Sequence, residues 1–200
     1  MAESRRPAEE SKAMLIRAAV DVIRTEGYGA LSAKRLAEKV GLKRQIVHYY
    51  FRTVDQLLLS VVRFYGDAGL ARLQSLLQQD PLRTLWEVQA DASATTFAFM
   101  AMATHRPKVK VALRHYMDAF RKLQSDAISS YFKSRGITPA VPAAAAAIIV
   151  QSVSQALAAE TTMGVARGHA ETKAVMEAVL ESLANTGKLD GGYTRRGQRR

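Results

Sequence analysis

Two hundred residues, 48% of them hydrophobic and 24% charged, can build a sizeable core in one or two domains. The absence of cysteine removes disulfides, thiolate metal sites and a cysteine nucleophile, and makes a reducing, cytoplasmic setting the expectation. The polar start MAESRRPAEESK has no apolar leader, and no apolar run of about 18 residues is read along the chain, so neither secretion nor a membrane partner is expected. The formal net charge of +11 lies mostly at the ends, with +5 over residues 1–52, +2 over 53–187 and +4 over 188–200. A basic head on a nearly balanced body suits duplex binding, because phosphate neutralisation dominates non-specific affinity.

Residues 1–11 read as a flexible polar arm carrying Arg5 and Arg6. From Lys12 the apolar positions Met14, Leu15, Ala18, Ala19, Val22 and Ile23 recur at helical spacing until Gly27 and Gly29 end the helix. Ser32 is then an N-cap for a helix whose stripe is Ala33, Leu36, Ala37 and Val40. Gly41 stops that helix by accepting positive φ, and Leu42 fills the angle before a second helix from Lys43 to about Tyr49. Ile46 and Val47 are expected to pack inward, while Lys43, Arg44 and Gln45 point donors outward. Those donors suit base edges, since Arg and Lys reach guanine acceptors, Gln pairs with adenine, and a helix-turn-helix inserts the start of its second helix into the major groove. His48, Tyr49 and Tyr50 suit phosphate oxygens, and Phe51 suits a core. The DNA-contacting set is therefore Ser32, Lys34, Lys43, Arg44, Gln45, His48, Tyr49, Arg52 and Thr53.

At this point the sequence resembles the N-terminal DNA-binding domain of the TetR family of bacterial transcriptional regulators. The matching residues are Ala18, Ile23, Gly27, Leu31, Ser32, Leu36, Ala37, Gly41, Leu42, Tyr50, Phe51 and Leu57, and the match spans roughly Lys12 to Leu58. The sequence departs from the family pattern at Gln45, Ile46, His48 and Val54. Where Val54 stands, relatives carry a lysine that helps hold a phosphate, so that role would pass to Arg52 or Thr53. The resemblance implies a regulator, most often a repressor, whose two heads reach successive major grooves about 34–36 Å apart on a palindromic operator.

Thr53 and Gln56 form a capping box for a helix through Leu57, Leu58, Val61, Val62, Phe64 and Tyr65. Gly66 and Gly69 inside it mark bending or close packing. Asp80 and Pro81 open the next helix, and a turn at Arg106 and Pro107 precedes a helix that Gly136 closes. Apolar pockets carry a few orienting polar groups, which makes Tyr65, Trp86, Phe97, Met100, His105, His115, Tyr116 and Phe120 the candidate lining for a small, apolar or acyl-like ligand. The basic residues Lys108, Lys110, Arg114, Arg121 and Lys122 are read first as a solvated face, and otherwise as a lure for an anionic headgroup. Four histidines without metal spacing make neither a metal nor a cofactor expected.

Pro139 and Pro142 open an alanine-rich helix, and a last helix runs over about 170–184. Together they are expected to make half of a four-helix interface with a second copy, through Ala147, Val150, Gln151, Ser154, Val175, Val179 and Leu183. The alternative is that both helices complete the chain's own core. The stretch from Asn185 onward is expected to be disordered.

The fold class is therefore all-α, with a three-helix helix-turn-helix head over residues 1–52, a larger helical ligand-binding and dimerisation domain over 53–187, and a basic tail over 188–200. The function expected is a dimeric, ligand-responsive regulator, not an enzyme, with double-stranded DNA, itself and a small molecule as partners and the cytoplasm as location. A non-specific nucleic-acid-binding or architectural protein is the alternative, because the basic ends alone would serve it. No phosphate loop, nucleophile elbow or recognisable carboxylate pair favours an enzyme.

Overall fold

A computed structural model of the chain describes residues 8–88 and 93–189, with the side chains of 93–96 left aside. Among the described residues there are nine α-helices and no strand: α1 Ala8–Glu26, α2 Ala33–Val40, α3 Arg44–Tyr50, α4 Val54–Leu76, α5 Pro81–Glu87, α6 Ser93–Ala103, α7 Pro107–Ser134, α8 Ala143–Thr162 and α9 His169–Thr186. A short 3-10 turn, Tyr28–Ala30, joins α1 to α2. The all-α class expected from the sequence is the class observed. Contacts divide the chain into two compact units. The first runs to Gly69 and includes Ala94–Met117, and the second holds Leu70–Ser93 and the chain from Asp118 onward.

In the first unit the apolar stripe of α1 (Leu15, Ile16, Ala19, Val20, Val22, Ile23) meets Leu36 and Ala37 of α2, Val47 of α3 and Leu57, Leu58, Val61 and Val62 of α4. Phe51 closes this cluster, and Phe99, Met102 and Val109 extend it. Burial at this scale contributes about 25 cal/mol per Å² of apolar surface. It also leaves the opposite faces of three short helices free for other work. Gly66 sits where a Cβ would stand 2.2 Å from Cδ1 of Tyr116, so the absent side chain lets the aromatic ring lie on the α4 backbone. Close packing is thus the reason for this glycine. The phenol of Tyr116 also donates to Asp67 at 2.7 Å. Burial first, then that carboxylate, pushes the phenol up to about 12.

The second unit packs Leu73 of α4, Leu77 just past its end, Leu82 and Leu85 of α5, Ile128, Tyr131 and Phe132 of α7, and the inner faces of α8 and α9. Asp80 caps α5 by accepting from the Arg83 amide at 3.0 Å, with Pro81 at the first position, as the sequence indicates. His169 at the start of α9 is buried and pairs through Nε2 with Glu160 of α8 at 2.8 Å.

Three sequence expectations are corrected here. Ala147, Val150 and Leu183 are fully buried in the second unit's own core, and Ser154 donates to the Trp86 carbonyl at 2.7 Å, so these four are not available to a partner. The chain from Asn185 to Leu189 is ordered: α9 continues to Thr186, Gly187 takes φ 70°, the Ala140 amide donates to the Gly187 carbonyl at 3.0 Å, and Leu189 packs on the core. The tail from 190 lies outside the described residues. Finally, α8 is long and apolar enough by length and composition to cross a membrane, with mean hydropathy 1.3 over its best window, contrary to the sequence reading. Alanines and serines among the aliphatic residues hide that run from inspection.

Candidate nucleic-acid interface

The α2–α3 pair is held by several local devices. Ser32 Oγ accepts from the Arg35 amide at 3.1 Å and caps α2. Gly41 ends α2 in the left-handed region at φ 68°, and the Leu42 amide reaches the Ala37 carbonyl at 2.9 Å, the bond that satisfies a helix end through a left-handed glycine. Leu42 then packs on the core. The next helix begins immediately, with Lys43 as its N-cap in extended geometry.

Two ionic bridges tie α2 to α1. Arg35 grips Glu26 with a fork, Nε to Oε2 at 2.7 Å and Nη2 to Oε1 at 2.8 Å, and Lys39 reaches Asp21 at 2.8 Å. The bond from Arg35 lowers the Glu26 carboxyl, and those from Lys39 and Arg24 lower that of Asp21. Each pair is partly exposed and energetically modest, but together they set the angle of α2. Sequence patterning missed them because Glu26 and Arg35 lie on different helices on either side of a turn, where no periodicity links them. Asp55 in the first turn of α4 is likewise paired with Arg106, a contact invisible in the sequence.

Thr53 Oγ1 accepts from the Gln56 amide at 3.1 Å while Gln56 Oε1 accepts from the Arg52 amide at 2.9 Å. The capping box therefore holds, with its return bond one residue earlier than the usual pattern. A hydroxyl that accepts one bond keeps a proton to donate, so Thr53 and Ser32 remain competent towards a phosphate.

All nine residues expected to meet DNA are exposed: Ser32 and Lys34 at the start of α2, Lys43, Arg44, Gln45, His48 and Tyr49 along α3, and Arg52 and Thr53 after it. Tyr49 stands out at 78% exposure, its ring edge-on to Tyr50 with centroids 5.1 Å apart. Val47 is the inward anchor of α3, at 2% exposure. Ile46 is not: at 38% it faces outward, correcting the expectation that both pack inside. A seven-residue helix has one narrow inward stripe, and Val47 with the flanking Phe51 fills it. The outward side of α3 carries no carboxylate. It offers cationic and amide donors, a hydroxyl-tipped ring and one aliphatic group.

The residues expected to line a ligand pocket fall in both units. Tyr65, Phe97, Met100, His105, His115 and Tyr116 belong to the first, with Phe97 and Met100 exposed and Tyr116 packed on Gly66; Trp86 and Phe120 are half-buried against the core of the second. Tyr65 alone of these lines an open depression of about 490 Å³ in the first unit, beside Phe64, Arg17, Asp21, Arg24 and Lys39.

Residues 15–61 match the sequence pattern described as bacterial regulatory proteins, tetR family. A search of curated proteins finds no match. Solved structures share the fold. A protein described as a transcriptional regulator from Saccharomonospora viridis, in complex with choline, is 17% identical with a TM-score of 0.72, over 86% of this chain and 96% of that one. A protein described as a TetR-family regulator from Mesorhizobium loti is 17% identical with a TM-score of 0.71, over 90% and 98%. The regulator FadR from Bacillus subtilis, in complex with stearoyl-CoA, is 16% identical with a TM-score of 0.59, over 88% and 98%. The capped α2, the left-handed Gly41 and the buried Phe51 thus fall within residues 15–61, the segment that matches the pattern of the tetR family of bacterial regulatory proteins.

Proposed function

We propose that the protein is a dimeric repressor that reads a palindromic operator with α3 and is released by a small ligand. The observation that carries the reading is the outward face of α3: Lys43, Arg44, Gln45, His48 and Tyr49 are exposed together, with no carboxylate among them, on a helix anchored by Val47 and Phe51. Arg44 and Gln45 carry donors of the kind that read base edges, and the exposed Tyr49, Arg52 and Thr53 carry donors suited to phosphates.

Dimerisation is supported by α8. Its apolar window is only 28% buried within the chain, and the uncovered part includes Ile148, Ser152 and Ala156 at successive helical turns. A second copy brought against that face, with the partly exposed Gln151, Val175 and Val179, would cover it and place two heads on one duplex. Ligand control is supported by proteins of this fold described in complex with choline and with stearoyl-CoA. A ligand that binds better to a body conformation with a different head spacing weakens DNA binding by that difference.

Selection of duplexes from a random pool by the purified protein, followed by sizing of the complex, tests the reading. An enriched palindrome with half-sites about one helical turn apart, bound by a dimer, is expected. Binding that falls with salt but enriches no sequence would sink it and leave a general basic contact.

A further inference from the structure

On the exposed side of α3, the guanidinium of Arg44 is not free. Its Nε–H donates to Nε2 of His48, one turn later on the same helix, at 3.3 Å. For Nε2 to accept, the imidazole must be neutral with its proton on Nδ1. Neither residue is ion-paired with any described residue. The charges around them are engaged elsewhere: on α2, which packs against α3, Lys34 meets Glu38, Arg35 meets Glu26 and Glu38, and Lys39 meets Asp21, while Asp55 at the start of α4 meets Arg106. On α3 and just beyond it, the remaining ionisable side chains are Lys43, Tyr49, Tyr50 and Arg52, none of which offers a carboxylate. The imidazole is therefore the group that holds Arg44.

We propose that His48 is a positioning residue for Arg44, its neutral Nε2 fixing the guanidinium so that both Nη groups are presented together to a guanine edge. This rests on the reading of α3 as the base-reading helix. Arginine has five N–H donors, and using Nε internally leaves the two Nη groups intact for the O6 and N7 acceptors. Holding a long side chain in one rotamer before contact reduces the freedom lost on binding. A protonated imidazole has no acceptor and repels the guanidinium, so acid releases Arg44 while adding one positive charge to the face. Base discrimination then falls at the pH where overall DNA affinity rises, two effects of opposite sign from one proton.

The test compares duplexes carrying the selected operator with single base-pair variants of it, at constant salt, at about pH 8 and about pH 5.5, for the full chain and for Arg44→Ala, His48→Ala, His48→Gln and Arg44→Ala/His48→Ala. At about pH 8, His48→Ala should lose about fivefold or more of the discrimination at one base pair, the same pair affected by Arg44→Ala, and the double change should be no worse than Arg44→Ala alone. Glutamine accepts without titrating. His48→Gln should keep the discrimination and should not lose it at about pH 5.5, where the unaltered protein does. Equal weakening on every duplex by His48→Ala would mean a phosphate contact and overturn the proposal, as would additive losses in the double variant. If the unaltered protein prefers no sequence, the reading of α3 itself falls and takes this proposal with it, a result seen before any variant is made.

Discussion

The α2–α3 pair and α8 both set a helical face towards solvent, with opposite chemistry. The head closes a dry cluster behind Val47 and Phe51 and shows cations, amides and phenols. The long helix α8 buries Ala146, Ala147 and Val150 and still shows Ile148 at 47% exposure, followed by Met163 at 71% just past its end. A polar face is stable in water alone and waits for a polyanion. An apolar one is costly in water and needs cover, so under the proposed function the first is the nucleic-acid surface and the second the self-association surface.

The contrast can be broken first at the core of the head. Phe51→Ala removes a ring at 4% exposure and should destabilise the first unit by about 3–5 kcal/mol, measured as a fall in the urea midpoint, with DNA binding lost in step. A loss under about 1 kcal/mol would show that Phe51 is not a structural anchor. Gly66→Ala should cost about 1–3 kcal/mol by forcing a methyl into the Tyr116 ring, and Gly66→Ala combined with Tyr116→Ala should be milder than the sum of the two single changes. Additive losses would contradict that contact. Ile148→Asp places a charge on the uncovered face of α8 and should raise the dimer dissociation constant about tenfold or more, read by sedimentation, while leaving the helical content of each chain intact. An unchanged dimer would move the interface elsewhere.

The smallest effect concerns pH. Asp21 and Glu26 have carboxyls lowered in the folded chain by Lys39 and Arg35, so the unfolded chain binds protons first. Their contribution is present above their ordinary values of 3.8 and 4.5 and is lost as pH falls through the lower folded values. Thermal melts should therefore show the stability difference between the unaltered protein and Glu26→Gln vanishing in acid. A difference that persists in strong acid, where the carboxyl is protonated in both folded and unfolded chains, would exclude the ion pair as its cause.

How much of this was legible depended on range along the chain. Ser32, Gly41, Thr53 with Gln56, and Asp80 with Pro81 act within four residues of themselves, and their roles follow from residue type and spacing. The same applies to the core stripe of α1 and to Leu36, Ala37 and Phe51. The outward turn of Ile46 is not legible, because β-branched apolar residues side by side give no sign of which one the short helix turns inward. The interface residues failed for a related reason: Ala147, Val150 and Leu183 have the composition of a helix–helix seam, but a seam within one chain and a seam between two look alike in sequence. Contacts between distant segments, Arg106 with Asp55, Tyr116 with Gly66 and Glu160 with His169, leave no local pattern at all.

The division of labour within α3 has a further consequence for how such a protein can change. Gly41, Val47 and Phe51 carry the folding of the head, while Lys43, Arg44, Gln45 and His48 touch neither the core nor the ionic bridges to α1. Under the proposed function, exchanging the second group would alter what is read without altering whether the head folds. Operator preference would then be an interchangeable part: grafting another set of four side chains onto the same backbone should redirect the protein to a new sequence at little cost in stability.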